Sequence, residues 1–508
     1  MPKLARCCAV ISNNSVRLYL AYALFALLAS TSANAKTSAY QITRDNAAQS
    51  MRAGPDAIGG IDDWFISNGT VCAVVSDVHH EGQFSTNGGN LIDIGFCGRE
   101  DEFFPQTSDL VDGTQKKRFD AQSVSANNGK EINVVSRYNN VQMSIRYYFD
   151  DHSPTELRIA KRFKLLDDSG SFNFISPMQF NYHSLEPFVF SSQQPENSNG
   201  FEQEDFVSRG AGAMTVAARS ADTIITITPP SAEQPISYGW QLKSAQRINA
   251  NGQRYAIPRF VLADNESTAM LVLSDSFYLG DGADVGWLQL VQVPLLSLDF
   301  GDELALDESI FISPRGDVAG ITDQLFNNDP NQSIYSIQAT TKEKQLAVHI
   351  DLADGTPITH VTPNADGKLS VRLPNGQYTM RVFGLGDRSD TQRFSVEGAD
   401  IDLGLLALSP IARVSLPQGQ AMRLIFLGLG DTQNPSFNDH LTQSSVMESY
   451  GLTTPHRNHH VFLAGLADDR KDVFLPDGEY EVLATKGPEY SLSRSVLKIT
   501  GGKDVQLK

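Results

Sequence analysis

Four groups of side chains in this sequence have types and spacings that can do chemistry. Asp77, His79, His80 and Glu81 stand within one short stretch, not far from Trp64. Imidazoles beside carboxylates can hold a metal or contact a sugar; the plain alternative is a solvated loop between two strands. His456, His459 and His460 have the i, i+3 and i+4 spacing that places three imidazoles on one helix face. They run straight into the strand-like segment Val461 to Ala464, where neighbours point to opposite faces, so a wet loop is the simpler reading and a shared metal the alternative. His183 and Glu186 follow a strand and can act as an acid/base pair in a mutarotase-like cleft. Glu100, Asp101 and Glu102 offer oxygen ligands of the kind calcium takes, although three charges in a row also suit a turn in water.

Several sites are excluded by their absence. The sequence holds no GxxxxGK[ST] phosphate loop, no HExxH zinc helix and no GxSxG nucleophile elbow. Its two GLGD strings, at residues 384–387 and 428–431, lack the third glycine and the strand-to-helix setting of a dinucleotide site and read as turns. No cofactor is implied.

The elements that must position these groups follow from composition and pattern. The chain has 508 residues, 41 % hydrophobic and 20 % charged, which is ordinary for globular protein and enough for about three domains. With 41 basic against 59 acidic residues the net charge is −18, a field that repels a phosphate backbone and excludes nucleic-acid binding as the main role. Residues 1–35 read as a secretory signal peptide. Lys3, Arg6 and Arg17 precede or flank the apolar run Leu18 to Ala29, and Ala33-Asn34-Ala35 supplies small residues for cleavage. That run is too short to span a bilayer, so the mature chain is expected in the periplasm or secreted, without a transmembrane anchor. Cys7 and Cys8 leave with the signal. Cys72 and Cys97 remain, and two cysteines on strands in an oxidising compartment are expected to pair, a metal pair or a reactive thiol being the alternatives.

Beyond a polar leader at 36–59, short strands with turn punctuation predict an all-β protein. Residues 60–327 form a large β-sandwich of supersandwich type, closed by a helix over Val318 to Phe326. Residues 334–409 and 410–508 form two smaller immunoglobulin-like or transthyretin-like sandwiches. Their shared signature is VxLPxGxY, at Val371 to Tyr378 and again at Val473 to Tyr480, an internal repeat. The unit reads as a hairpin in which Pro sets φ and Gly takes positive φ, with Tyr378 and Tyr480 packing back on the core.

The ending LPDGEYEVLATKGPEYSLSRSVLKITGGKDVQL, together with DWFISNG, GGNLIDIG and RGDVAGITDQLF, resembles the β-rich region in front of the catalytic domain of secreted PHP-type metallohydrolases of the CehA/McbA kind. Proteins of that kind continue into a domain opening with Asp-x-His-x-His around a metal cluster. Here the nearest string is Asp77-Val78-His79-His80-Glu81, with the wrong spacing, and the chain stops at Lys508. The family's metal ligands therefore have no counterparts, and its hydrolase activity is not carried over. The expected role is an exported, non-catalytic β module that binds a ligand, with carbohydrate favoured by Trp64, Trp240 and Trp287 as flat apolar faces, or a separately encoded PHP-type metallohydrolase partner. The alternative is a carbohydrate-active enzyme of the mutarotase or lyase kind, with its acid/base site in the large domain.

Overall fold

The computed structural model describes residues 37–80, 87–100, 106–109, 117–168, 170–174, 178–181, 187–192, 195–198, 200–201, 222–228, 233–257, 259–263, 268–273, 296–343, 345–386, 388–435, 437, 459–467 and 469–507. The fold is all-β, built of several sheets, and no helix among the described residues is long and apolar enough to cross a membrane.

A four-stranded antiparallel sheet stands at the front, in the order β1 (Ser38–Gln41), β2 (Trp64–Ser67), β3 (Val71–Val75) and β4 (Leu91–Phe96). Residues of the expected leader thus supply β1 and the short helix α1, Ala47–Ser50. The β2–β3 hairpin turns on Asn68-Gly69, with Gly69 at φ +84° and the Asn68 side chain accepting the Thr70 and Val71 amides. Behind it lies a nine-stranded sheet. Its order runs Pro187–Phe190, Thr223–Ile227, Ser237–Ile248, Glu303–Ser313, Glu156–Leu165, Val141–Phe149, Glu131–Tyr138 and Asp120–Asn127, with Arg254–Ala256 paired on Ser237–Ile248. Alternate residues of both sheets meet in one core. Ile66, Ala73 and Ile94 from the front face Met143, Ile159 and Leu306 from behind, all fully or nearly fully buried. Each of the Ile, Leu and Met side chains contributes about 1.5–3 kcal/mol, and the period-2 alternation of the strands is what directs them inward.

On the outer side of the front sheet Ile42, Phe65, Val74 and Ile92 form a second small core. Cys72 and Cys97 are bonded there in a disulfide with a sequence separation of 25. The pairing expected from the cysteine count is the pairing found.

The C-terminal half holds two seven-stranded sandwiches with the same topology. In the first, Lys368–Pro374, Ile334–Thr341 and Ile401–Leu406 form one sheet, facing Pro357–Val361, Leu346–Leu352, Gly376–Gly384 and Arg388–Val396. In the second, Asp472–Pro476, Ile411–Ser415 and Val505–Gln506 face His460–Ala464, Ala421–Gly428, Gly478–Thr485 and Ser493–Ile499.

This topology corrects the reading of VxLPxGxY as a hairpin. Lys368–Pro374 and Gly376–Gly384 belong to different sheets, as do Asp472–Pro476 and Gly478–Thr485, so the motif carries the chain from one layer to the other. Neither Gly376 nor Gly478 has positive φ. The glycines are needed for space instead. A Cβ on Gly376 would lie 3.1–3.2 Å from the Tyr378 ring, and one on Gly478 would lie 2.6 Å from Thr432 Cγ2. The tyrosines do pack back. The buried Tyr378 donates its hydroxyl to the Pro374 carbonyl at 3.0 Å, and Tyr480 donates to Pro476 at 3.1 Å. Each bond gives the buried phenol a partner and occupies a prolyl carbonyl at the crossover between layers.

Helix α2 (Ala319–Asn327) joins the halves. Ile321, Leu325 and Phe326 enter a core shared with Phe190 and Phe311 on one side and Val371 and Leu373 of the first small sandwich on the other. Buried Asp317 accepts the amides of Gly320 in the first helical turn and Thr362 in the sandwich. Arg315 bridges Asp317 and Asp323, each at 2.9 Å, and donates to the Ser370 carbonyl. The RGDVAGITDQLF segment is therefore a structural junction.

Candidate functional site

Asp63 ends a tight turn after Gly59-Gly60 and precedes β2. Its carboxylate is 1 % exposed and accepts the Gly60 amide at 2.8 Å on Oδ2 and the Asp77 amide at 2.8 Å on Oδ1. His80, in the loop after β3, brings Nδ1 to 2.8 Å from Oδ2 and 3.0 Å from Oδ1 of the same group. A carboxylate cannot donate, so Nδ1 carries the proton and Nε2 is the nitrogen that exchanges. The Asp63 hydrogen bond raises the His80 pKa above the ordinary imidazole range; burial opposes it, and the charges of Asp63, Asp93 and Asp77 add to the rise.

Asp93 is the third carboxylate. It sits in β4 opposite Val74, fully buried, and accepts the amides of Ile58 and Gly59 at 2.9 and 2.7 Å. Burial pushes its carboxyl up to about 6 against the lowering effect of those two amides. Gly59 is obligatory for this approach, because a Cβ there would lie 2.5 Å from Asp93 Oδ2. Trp64 completes the group. Half-buried, it donates Nε1–H to Asp77 Oδ1 at 3.0 Å.

The structure thus brings together three of the residues singled out in the sequence, Trp64, Asp77 and His80. His79 is exposed beside them, and Glu81 lies outside the described residues. His183, Glu186, Trp287, Asp101, Glu102 and His456 also lie outside them. Asp63 and Asp93 were missed. The usable signal was a lone aspartate within the apolar run Leu91-Ile92-Asp93-Ile94, since a charge in a buried strand needs partners.

Three candidate residues take other roles. Trp240 is fully buried in the main core, its Nε1 donating to Glu308 at 3.1 Å, so it offers no face to a ligand. His459 and His460 stack with ring centroids 4.3 Å apart, and the His460 Nδ1 accepts the Arg423 guanidinium at 2.8 Å. Burial, and then the charge of Arg423, lower the His460 pKa. No group of three or more His, Cys, Asp or Glu among the described residues has a metal-holding arrangement.

Chemically, the front site presents an imidazole locked in one tautomer, an indole edge and the Asp77 carboxylate. It can donate to and accept from a polyhydroxylated ligand, or move a proton at His80 Nε2.

Fold and site together define a multidomain all-β protein with a disulfide in its front sheet. No protein-family profile matches the chain, and no curated protein matches it. Among solved structures it has likeness to a polysaccharide lyase, at 11 % identity over 69 % of this chain and 46 % of that one, with TM-score 0.23. The chain spans less than half the length of that lyase. A protein from Synechocystis sp. PCC 6803 is matched at 8 % identity, over 48 % of this chain and 93 % of that one, TM-score 0.25. The Bacillus anthracis TIE protein is matched at 9 % identity, over 98 % of this chain and 78 % of that one, TM-score 0.15. At such scores the likenesses carry no argument about activity.

Proposed function

We infer that this chain is an exported β module that binds carbohydrate at Trp64, Asp77 and His80. The observation that supports it is the preorganised pair His80–Asp63, with its imidazole 20 % exposed over a carboxylate that is 1 % exposed, next to an indole anchored on Asp77. Sugar rings offer hydroxyls to carboxylate and imidazole and C–H faces to an aromatic ring. Export rests on the signal-like residues 1–35 and is supported by the disulfide, a bond that persists in oxidising compartments. The resemblance to PHP-type metallohydrolases supports a separately encoded enzyme of that kind as the alternative to a carbohydrate ligand.

The test is binding of purified mature protein to a polysaccharide and glycan panel, with His80→Ala and Trp64→Ala beside the parent. A glycan bound by the parent and weakened about tenfold or more in both variants, worth roughly 1.4 kcal/mol, supports the reading. Absence of binding to every glycan, or equal binding by all three proteins, would refute it.

A second reading shares the site. The Asp-oriented imidazole is the arrangement of a general base, and turnover of the bound glycan that is lost in His80→Gln would make the module an enzyme.

A further inference from the structure

In the core between the front and nine-stranded sheets an ionic cluster interrupts the apolar packing. Leu157, Ile159, Phe163 and Leu165 of one strand point inward, and Lys161 occupies the same face between them. Its Nζ lies 2.6 Å from Asp109 Oδ1 and 3.3 Å from Glu308 Oε1, with the three side chains 1 %, 2 % and 0 % exposed. Trp240 Nε1 holds the other Glu308 oxygen at 3.1 Å. Oε1 faces the amine. Tyr147, also fully buried, closes the side, its hydroxyl donating to the Gly89 carbonyl at 2.9 Å.

One cation and two carboxylates in a dry core are costly, and converting the Lys161–Asp109 pair to a neutral amide removes two of the three charges. The fold also holds amine and carboxyl in contact, so their encounter carries no further entropy penalty. We propose that Lys161 Nζ and the Asp109 side-chain carboxyl condense in the folded protein into an intramolecular amide, with Glu308 as the proton carrier.

The step balances without a co-reactant. A proton passes from the Lys161 ammonium to the Asp109 carboxylate, leaving an amine and a carboxylic acid. The amine lone pair attacks Asp109 Cγ and forms the C–N bond. Glu308 takes a proton from the nitrogen and delivers it to the departing hydroxyl, the C–O bond breaks, and one water leaves. Burial pushes the Glu308 carboxyl up, restrained by Lys161 and Trp240, so it can hold a proton between these transfers. The product ties residues 52 apart in sequence and leaves no charge on either.

Peptide mapping by mass spectrometry of the folded, full-length mature chain, reduced to open the Cys72–Cys97 bond, tests this. The expected result is one branched tryptic product joining the Asp109 and Lys161 segments, lighter than their sum by one water. In Glu308→Gln, with near-ultraviolet circular dichroism unchanged, its formation should slow by about a hundredfold. Recovery of the two peptides separately from the folded parent would overturn the amide. A branched product forming as fast in Glu308→Gln would overturn the role of Glu308.

Discussion

His80 and Asp63, 17 residues apart in the chain, meet Nδ1 to Oδ2 at 2.8 Å with the carboxylate sealed from solvent and the imidazole at its rim. The pairing makes the charge of a surface loop depend on a buried group. His80 should therefore titrate above 6.5, in the direction set by Asp63, and Asp63→Asn should bring it back towards that value, as read from imidazole resonances across pH. A group whose pKa is raised on folding adds stability that is complete below its unfolded value and fades as pH rises through its folded one. The parent should accordingly lose about 1–3 kcal/mol relative to Asp63→Asn as pH climbs past the His80 transition. A His80 midpoint unmoved by the substitution would contradict the pairing.

Gly59 is predicted to be intolerant and Gly60 tolerant. Gly59→Ala drives a methyl to 2.5 Å from Asp93 Oδ2, whereas the nearest atom to a Cβ on Gly60 is 3.9 Å away. Urea unfolding should show a loss of about 1–3 kcal/mol for the first and under about 1 kcal/mol for the second. Equal losses would mean that the carboxylate pocket is looser than described.

The two crossover tyrosines should behave alike. Tyr378→Phe and Tyr480→Phe each delete one hydroxyl bond to a prolyl carbonyl, and each should cost about 0.5–1.5 kcal/mol in thermal or denaturant unfolding. Burial pushes the Tyr378 phenol up to about 12, so it should be silent in an ultraviolet titration through pH 10.

Acid should weaken the first small sandwich through His360. Fully buried against His349 and Phe201, with ring centroids at 5.1 and 5.6 Å, it titrates well below the ordinary imidazole value because burial penalises its charge. Its folded pKa is depressed, so the unfolded chain binds the extra proton. Stability is full above 6.5 and falls as pH drops below it, by at most about 1.4 kcal/mol per pH unit from this group. His360→Phe should flatten that slope between pH 6.5 and 4.5, and an unchanged slope would place the acid sensitivity elsewhere.

The local features of this chain were legible without its structure. Alternation in Val141–Phe149 and Glu156–Leu165, the Asn68-Gly69 turn, the helix over Ala319–Asn327 and the all-β class all follow from side-chain period and turn chemistry, which act over a few residues. The Cys72–Cys97 pairing followed from there being two cysteines beyond the signal-like segment. What sequence could not assign was sheet membership: VxLPxGxY looks like a hairpin because Pro and Gly flank a short break, yet its two strands lie in opposite layers. The site divides the same way. Trp64, Asp77 and His80 stood out by residue type, and Asp93 and Lys161 interrupt apolar patterns in their strands, whereas Asp63 and the partners of each buried charge became visible only once segments distant in the chain were packed together. A charge on an apolar face shows in the sequence that it needs a partner, but which partner it meets is set by which loop closes over which sheet, and only the packed structure decides that.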